Sequence, residues 1–243
     1  MSIETDIVIA GTGPAGLMAA LALARAGFSV ALAGPPANLS DRRTTALMKP
    51  QLDFLDRLGL LDAVTPEAAP LKSMRIVDVT SRLLRGPAVT FRAAEIGEDA
   101  FGLNIPNRHL LSVLDAVVSD IVSIRRLSAL VSRWTPGEDA IEAALESGET
   151  VTAKLAVAAD GRLSPAREAA GIAVRSGSTG QSALVLNFGH ARPHDDISTE
   201  FHTEDGPFTQ VPLPGLRSSL VWVTRPRRAA ELAALPDAEL SRL

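Results

Sequence analysis

The stretch DIVIAGTGPAGLMAALALARAGFSVALAGP, residues 6–35, constrains the fold of this chain more than any other. It joins a β-branched apolar run at residues 7–10, three glycines, a helical apolar segment and a second apolar run at residues 28–33. Pro14 stands where a helix begins, and Gly27 stands where a helix ends. The stretch predicts two parallel strands joined by a right-handed helical crossover.

The glycine motif GTGPAG lies between the first predicted strand and the helix, which is the context that a dinucleotide fingerprint requires. Its first glycine permits a tight turn, its second lets a pyrophosphate approach the backbone, and its third allows close packing of helix and strand. The helix N-terminus adds N–H donors and positive potential. We therefore predict that cofactor is bound by Gly11, Gly13, Pro14, Ala15 and Gly16.

The end of the second strand lacks the acid that usually hydrogen-bonds a ribose in such sites. Ala33 and Gly34 stand at that position. Two interpretations remain open from these residues. One is an NADP site in which Arg42 or Arg43 accepts a 2′-phosphate, and the other is an FAD site without this ribose contact.

The amino-acid composition limits which binding partners and which cellular compartment are plausible for this chain. A net charge of −4 and a pI of about 5.6 give no basic footprint for nucleic acid. The chain has no cysteine, which excludes disulfides and cysteine metal sites and fits a reducing cytoplasm. The most apolar segment, residues 15–26, contains Arg25 and is shorter than the roughly 20 residues that span a bilayer. We expect a soluble cytoplasmic protein.

Hydrophobic spacing predicts an α/β fold in which a dinucleotide-binding layer is interleaved with a more antiparallel β region. The predicted elements after residue 35 are an amphipathic helix over 44–61, short strands within 71–91, a helix over 110–122, a strand meander that closes with a strand at 155–159, several antiparallel strands in the last third, and a helix from Ala229 to the end.

A second motif, KLAVAADGRLSPAR at residues 154–167, runs from a buried strand into Asp160 and Gly161. Local chemistry alone explains Asp160 as a turn residue and Ser164 as a helix N-cap. The whole motif, however, resembles the second fingerprint of the flavin-dependent aromatic hydroxylases. That resemblance implies that Asp160 and Gly161 lie near the flavin pyrophosphate and affect nicotinamide binding.

Three further blocks resemble the hydroxylases of ubiquinone biosynthesis in particular. DRRTTALMKPQLDFLDRLGL, residues 41–60, implies that Arg43 approaches the flavin. IPNRHLLSVL, residues 105–114, implies that Asn107 or Arg108 faces the cofactor. TEDGPFTQVPLPGLRSSLVW, residues 203–222, resembles the sheet that walls the substrate pocket.

The resemblance implies an FAD-dependent monooxygenase that hydroxylates a prenylated phenol or quinone precursor with NAD(P)H and O2. It assigns residues 1–70 and 101–175 to FAD binding, and residues 71–100 and 176–243 to a β-rich substrate region. Relatives continue into a third, Gly-Asp fingerprint that this chain lacks, so we expect it to correspond to their N-terminal part. Flavin carries the chemistry, and no catalytic side chain is assigned.

Two other functions remain open. An NADP-linked reductase would use Arg42 and Arg43, whereas a flavin-free fragment would act through a partner such as a separate C-terminal half or other ubiquinone-biosynthesis proteins. The resemblance also implies peripheral association with the inner membrane. His190 and His194 have the spacing of a helical metal pair, but Pro193 disfavours a helix, so no metal site is predicted.

Overall fold

The computed structural model describes residues 2–243, which form two compact units. The first unit comprises the residues up to Asp41 together with Arg108–Arg175, and the second comprises Arg42–Asn107 and Ser176–Leu243. Residues 42–70 and 101–107, assigned from the sequence to FAD binding, belong structurally to the second unit. The functional division of the chain stays a prediction.

In chain order the strands are β1 (Ser2–Ala10), β2 (Val30–Ala33), β3 (Thr44–Met48), β4 (Ala69–Pro70), β5 (Ser73–Asp78), β6 (Val89–Arg92), β7 (Gly102–Pro106), β8 (Ile124–Leu127), β9 (Val131–Pro136), β10 (Ile141–Leu145), β11 (Thr150–Ala158), β12 (Ser182–Gly189), β13 (Ile197–His202), β14 (Pro207–Leu213) and β15 (Arg217–Thr224). The α-helices are α1 (Pro14–Arg25), α2 (Lys49–Arg57), α3 (Leu61–Val64), α4 (Asn107–Ser119), α5 (Pro165–Ala169), α6 (Pro226–Ala233) and α7 (Asp237–Leu240). Short 3₁₀ turns cover Thr65–Glu67 and Ala93–Ile96.

The first unit is built on a six-stranded sheet in the order β8-β2-β1-β11-β10-β9. Strands β8, β2, β1 and β11 are parallel, whereas β11, β10 and β9 form an antiparallel meander. Val8, Leu17 and Leu32 are fully buried. The β-branched apolar strands and the nearly uncharged helix α1 suit this position, because strands of a parallel sheet are covered on both faces. The predicted strand, helix and strand unit is confirmed.

The second unit contains a six-stranded sheet in the order β12-β15-β14-β13-β5-β6 and a three-stranded sheet in the order β3-β7-β4. All neighbours are antiparallel except β13 and β5, which run parallel. The α/β fold class with a β-rich second region is thus confirmed, with one parallel pair that the sequence did not predict.

The helix predicted over 44–61 was wrong at its beginning. Thr44–Met48 form strand β3, which pairs antiparallel with β7, and helix α2 begins only at Lys49. Two consecutive threonines favour a strand, and the pairing partner lies more than fifty residues away in the sequence. Pro50 stands in the first turn of α2, where a missing N–H costs nothing.

The helix predicted from Ala229 to the end is also interrupted. Helix α6 ends at Ala233, and α7 begins at Asp237. Pro236 lies between them and cannot donate the hydrogen bond that a continuous helix would need. Helix α4 begins and ends three residues earlier than predicted.

Candidate functional site

The glycine loop follows β1 and leads directly into α1. The Gly11 N–H donates to the Ala33 carbonyl at 2.7 Å, which ties the loop to the end of β2. The Leu17 N–H donates to the Gly13 carbonyl at 3.0 Å and begins the helix. Pro14 is the first helical residue and Gly13 is the N-cap. The sequence-predicted residues 11–16 therefore form one continuous turn at a helix N-terminus.

The three glycines of this loop have different surroundings. A Cβ at Gly11 would lie 2.1 Å from the Ala159 carbonyl oxygen, and a Cβ at Gly16 would lie 1.8 Å from the Gly11 carbonyl oxygen. A Cβ at Gly13 would meet nothing within 4 Å. Gly11 and Gly16 are therefore required by packing within the protein, whereas Gly13 leaves space open in front of the helix.

That open space is suited to an anion. No side chain among the described residues caps α1, and its first turn contains no acid. The N–H groups of the first turn of a helix lack partners within that helix, and the helix dipole adds positive potential there. The loop therefore fits the pyrophosphate of a dinucleotide such as FAD.

The second fingerprint lies directly beside the first. The Ala159 N–H donates to the Ala10 carbonyl at 2.8 Å, and Ala159 is the residue that a Cβ on Gly11 would contact. Asp160 follows at once, so β1 and β11 bring both motifs to the same edge of the sheet. Gly161 has a φ of +88°, a conformation that glycine adopts without strain.

Asp160 and Ser164 both hold the beginning of α5. The Asp160 carboxylate accepts the Ala166 N–H at 3.1 Å, and the Ser164 hydroxyl accepts the Arg167 N–H at 3.0 Å. Arg167 donates to the Arg162 carbonyl at 3.1 Å. Ser164 is thus the N-cap that local chemistry predicted, and only one oxygen of Asp160 is engaged by this bond.

A side chain at Gly34, at the end of β2, would meet Thr12. A Cβ at Gly34 would lie 2.9 Å from Thr12 Cγ2 and 3.2 Å from the Thr12 nitrogen. The Thr12 side chain is buried and donates its hydroxyl proton to the Pro35 carbonyl. Thr12 therefore fills the space that a side chain at Gly34 would need. Sequence reasoning missed Thr12, although a hydroxyl residue between the first two glycines was a visible signal.

Arg43 and Asn107 lie together in the second unit. The Asn107 N–H donates to the Arg43 carbonyl at 2.9 Å, and the Asn107 side-chain oxygen accepts the Thr45 hydroxyl at 2.6 Å. The Arg43 side chain is exposed. Arg108 is also exposed, in the first turn of α4. Their roles toward a cofactor remain predictions.

A charged network joins β1, β11 and the residue that precedes β2 in the first unit. Asp6 accepts hydrogen bonds from Lys154 Nζ at 2.9 Å and from the Ser29 hydroxyl and N–H at 2.7 and 3.0 Å. The ammonium group of Lys154, followed by the Ser29 donors, holds the pKa of Asp6 well below its usual range. Lys154 was noted in the sequence only as the start of the second fingerprint.

His190 and His194, in the segment HARPHDD at residues 190–196, make contacts within the second unit. The rings of His190 and His194 meet edge to face with centroids 5.7 Å apart. His194 Nδ1 accepts the Asp196 N–H at 3.0 Å, and its Nε2 lies 2.9 Å from the Leu213 carbonyl. Within residues 2–243, no group of three or more potential metal ligands comes together.

None of the helices described in residues 2–243 has both the length and the apolar character needed to cross a bilayer.

Comparison with known proteins gives one family and several relatives. The family described as FAD binding domain matches residues 4–232. Ubiquinone hydroxylase UbiL of Rhodospirillum rubrum is 36% identical over 98% of this chain and 57% of its own length. The 3-demethoxyubiquinol 3-hydroxylase of Escherichia coli is 29% identical over 97% of this chain and 61% of its own length.

Solved structures agree in fold. PqsL of Pseudomonas aeruginosa, a probable FAD-dependent monooxygenase, superimposes with a TM-score of 0.83 at 21% identity, over 98% of this chain and 65% of that one. HpxO of Klebsiella pneumoniae, a variant solved with FAD, gives a TM-score of 0.73 at 20% identity, over 98% and 62%.

The chain thus spans about three fifths of the length of the curated relatives it matches. The match over residues 4–232 and these relatives confirm the resemblance to ubiquinone-biosynthesis hydroxylases. FAD is the cofactor named for the family, and the glycine loop fits it. On this basis the chain belongs to the FAD-binding domain family.

Proposed function

We propose that this chain binds FAD and forms the cofactor-binding part of an NAD(P)H- and O2-dependent monooxygenase. Its substrate is a prenylated phenol or quinone precursor of ubiquinone. The observation that carries the proposal is the open space at Gly13, in front of the α1 N-terminus and at the same sheet edge as Asp160. The ubiquinone hydroxylases among the relatives support the substrate class.

In this proposal the backbone performs most of the binding. Residues 11–16 would hold the pyrophosphate, with Gly13 keeping the approach open and Pro14 and Ala15 beginning the helix whose N–H groups face it. Because Thr12 fills the space at Gly34, ribose binding cannot use an acid at that position.

Other sequence-predicted positions would also contact the cofactor. Asp160, fixed through the Ala166 N–H, and Gly161 would border the pyrophosphate and the incoming nicotinamide. Arg43, with Asn107 or Arg108, would contact the flavin side. When bound, FAD supplies the redox chemistry of hydroxylation with O2, and the protein binds, orients and excludes water.

The proposed substrate class suggests where in the cell the protein works. Polyprenyl chains dissolve in the bilayer, so an enzyme that acts on them works at a membrane surface. We propose a cytoplasmic protein that associates peripherally with the inner membrane and with other ubiquinone-biosynthesis proteins.

The test is titration of the purified chain with FAD, followed by its visible absorption and flavin fluorescence. We expect bound flavin in the wild type and an affinity lower by about tenfold or more in Gly13→Ala, because a methyl group would occupy the space of the pyrophosphate. Gly13 has φ −74° and ψ 178°, which alanine adopts freely, so the urea midpoint should not change.

Gly177→Ala is the matched control, since a Cβ there also meets nothing within 4 Å. It should leave both FAD affinity and stability unchanged. Equal FAD affinity in Gly13→Ala and wild type would refute the assigned site. A wild type that binds NADPH and never binds flavin would replace the proposal with the NADP-linked reductase.

A further inference from the structure

The hairpin formed by β5 and β6 carries the most exposed apolar side chains of the second unit. Its loop, residues 79–88, contains Leu83 and Leu84, which are 100% and 88% exposed. Moving a leucine side chain from water into an apolar environment is favourable, and neither leucine gains this free energy while it is exposed. Two adjacent exposed leucines at a loop tip form an apolar surface that is available to a partner.

The loop is held in place by hydrogen bonds at its base. The Asp78 carboxylate accepts the Thr80 hydroxyl at 2.7 Å, the Thr80 N–H at 3.0 Å and the Gly86 N–H at 3.3 Å. Glu204 accepts the Ser81 hydroxyl and N–H at 2.7 and 2.6 Å. These donors, and the charge of Arg82, lower the pKa of both acids. Both carboxylates are thus engaged below the tip.

The strands of the hairpin extend the apolar surface. Ile76 pairs with Val89 and Met74 pairs with Phe91, so the four side chains share one face of the hairpin. Ile76, Val89 and Phe91 are 37%, 43% and 50% exposed. Strand β6 is also the edge of its sheet. The apolar character therefore continues from the tip along the hairpin.

The charge of the hairpin opposes that of the chain. Residues 73–92 contain four arginines and a single acid, Asp78, in a chain whose net charge is −4. Arg82 and Arg85 flank the two leucines, and neither forms a salt bridge with any of residues 2–243. Apolar side chains flanked by cations complement an anionic lipid surface, which offers phosphate groups above an apolar interior.

We infer that the tip Arg82–Arg85 docks on an anionic bilayer. Leu83 and Leu84 enter the boundary between headgroups and acyl chains, and Arg82 and Arg85 bind lipid phosphates. The inference deepens the proposed function, because a bilayer is where a prenylated substrate resides. Membrane docking needs neither flavin nor turnover, so the two proposals can fail separately.

The test is flotation of the full chain with vesicles of phosphatidylcholine, with and without phosphatidylglycerol. We expect binding to the anionic vesicles, reduced about tenfold or more in Leu83→Ser/Leu84→Ser. Arg82→Ser/Arg85→Ser should weaken binding to the anionic vesicles by about fivefold for each arginine and should not change binding to vesicles of phosphatidylcholine alone. The matched control is Val122→Ser/Ile172→Ser, which alters two apolar residues that are 102% and 60% exposed in the first unit and should not affect binding.

A fluorescent label reports the docking directly. The chain has no cysteine, so Leu84→Cys carries an environment-sensitive dye at one position only. We expect a blue shift on addition of anionic vesicles, and no shift for the same dye on Val122→Cys. Absence of wild-type binding, or binding that is equal in the leucine variant, would overturn the inference. Concentration-dependent dimerisation that the leucine variant abolishes, without vesicle binding, would assign the tip to a second copy of the chain instead.

Discussion

Strand β2 of the first unit and the β5–β6 hairpin of the second unit place their apolar residues differently. In the first unit β2 is buried along its whole length, and Val8, Leu17 and Leu32 have no exposed surface. In the second unit no residue of β5 or β6 is buried, and the hairpin between them exposes two leucines fully or nearly so. The difference indicates that β2 uses its apolar residues to stabilise the fold, whereas the hairpin leaves some of its apolar residues available for binding.

The largest loss of stability should come from a substitution in the buried strand β2. Leu32→Ala should lower the free energy of unfolding by about 2–5 kcal/mol, because it leaves a cavity between covered faces. Ile76→Ala, in the exposed hairpin, should lower it by less than about 1 kcal/mol. Urea unfolding followed by fluorescence checks both.

The two tryptophans help to separate the units. Trp134 lies in β9 of the first unit and Trp222 in β15 of the second, so Trp134→Phe and Trp222→Phe each leave one probe. Equal losses of stability for Leu32→Ala and Ile76→Ala would refute the contrast between β2 and the hairpin.

The next effect concerns packing at the glycine loop. Gly16→Ala should destabilise the first unit by about 1–3 kcal/mol, because its Cβ would overlap the Gly11 carbonyl and force the helix from the strand. Chemical denaturation should show this loss, whereas Gly177→Ala should unfold at the wild-type midpoint. An unchanged midpoint for Gly16→Ala would mean that the loop tolerates the side chain.

Asp160→Ala should cost about 1 kcal/mol, since it removes an acceptor from the N-terminus of α5. Asp160→Asn keeps an oxygen acceptor and should be nearly as stable as wild type. A binding role toward the cofactor would appear as a loss of FAD or NAD(P)H affinity in both variants. If affinity changed only in Asp160→Ala, the residue would serve the fold alone.

The smallest effect should be on the stability of the protein at low pH, through Asp6. The pKa of Asp6 is lowered in the folded protein, so its contribution is present above the ordinary aspartate pKa and is lost as the pH falls below about 4. Asp6→Asn should therefore reduce the difference between the unfolding midpoints at pH 7 and pH 3. An identical pH dependence in the variant would show that the contacts of Asp6 with Lys154 and Ser29 do not make folding depend on pH.

The sequence predicted the glycine loop well because its determinants are local. A strand, a turn and a helix follow one another within residues 7–25, and each has its own signal in spacing or in Pro14. The contact of the loop with Ala159 could not be predicted from spacing, because it depends on β1 pairing with a strand more than 140 residues away. Family resemblance, not periodicity, linked the two motifs.

The second unit was harder to predict for the same reason. Residues 44–48 form a strand because β7 is available to pair with them. The parallel pairing of β5 with β13 joins segments that are more than a hundred residues apart. Leu83 and Leu84 are invisible to periodicity, because two adjacent leucines in a loop look like a core segment until the fold shows that nothing in residues 2–243 covers them.

The contact between Thr12 and Gly34 also bears on how such a site can change over generations. An acid introduced at Gly34 would collide with Thr12, and an isolated loss of Thr12 would remove the bond to Pro35 without adding a ribose ligand. The effect of an acid at position 34 should therefore depend on the size of the residue at position 12, so substitutions at the two positions should not be additive.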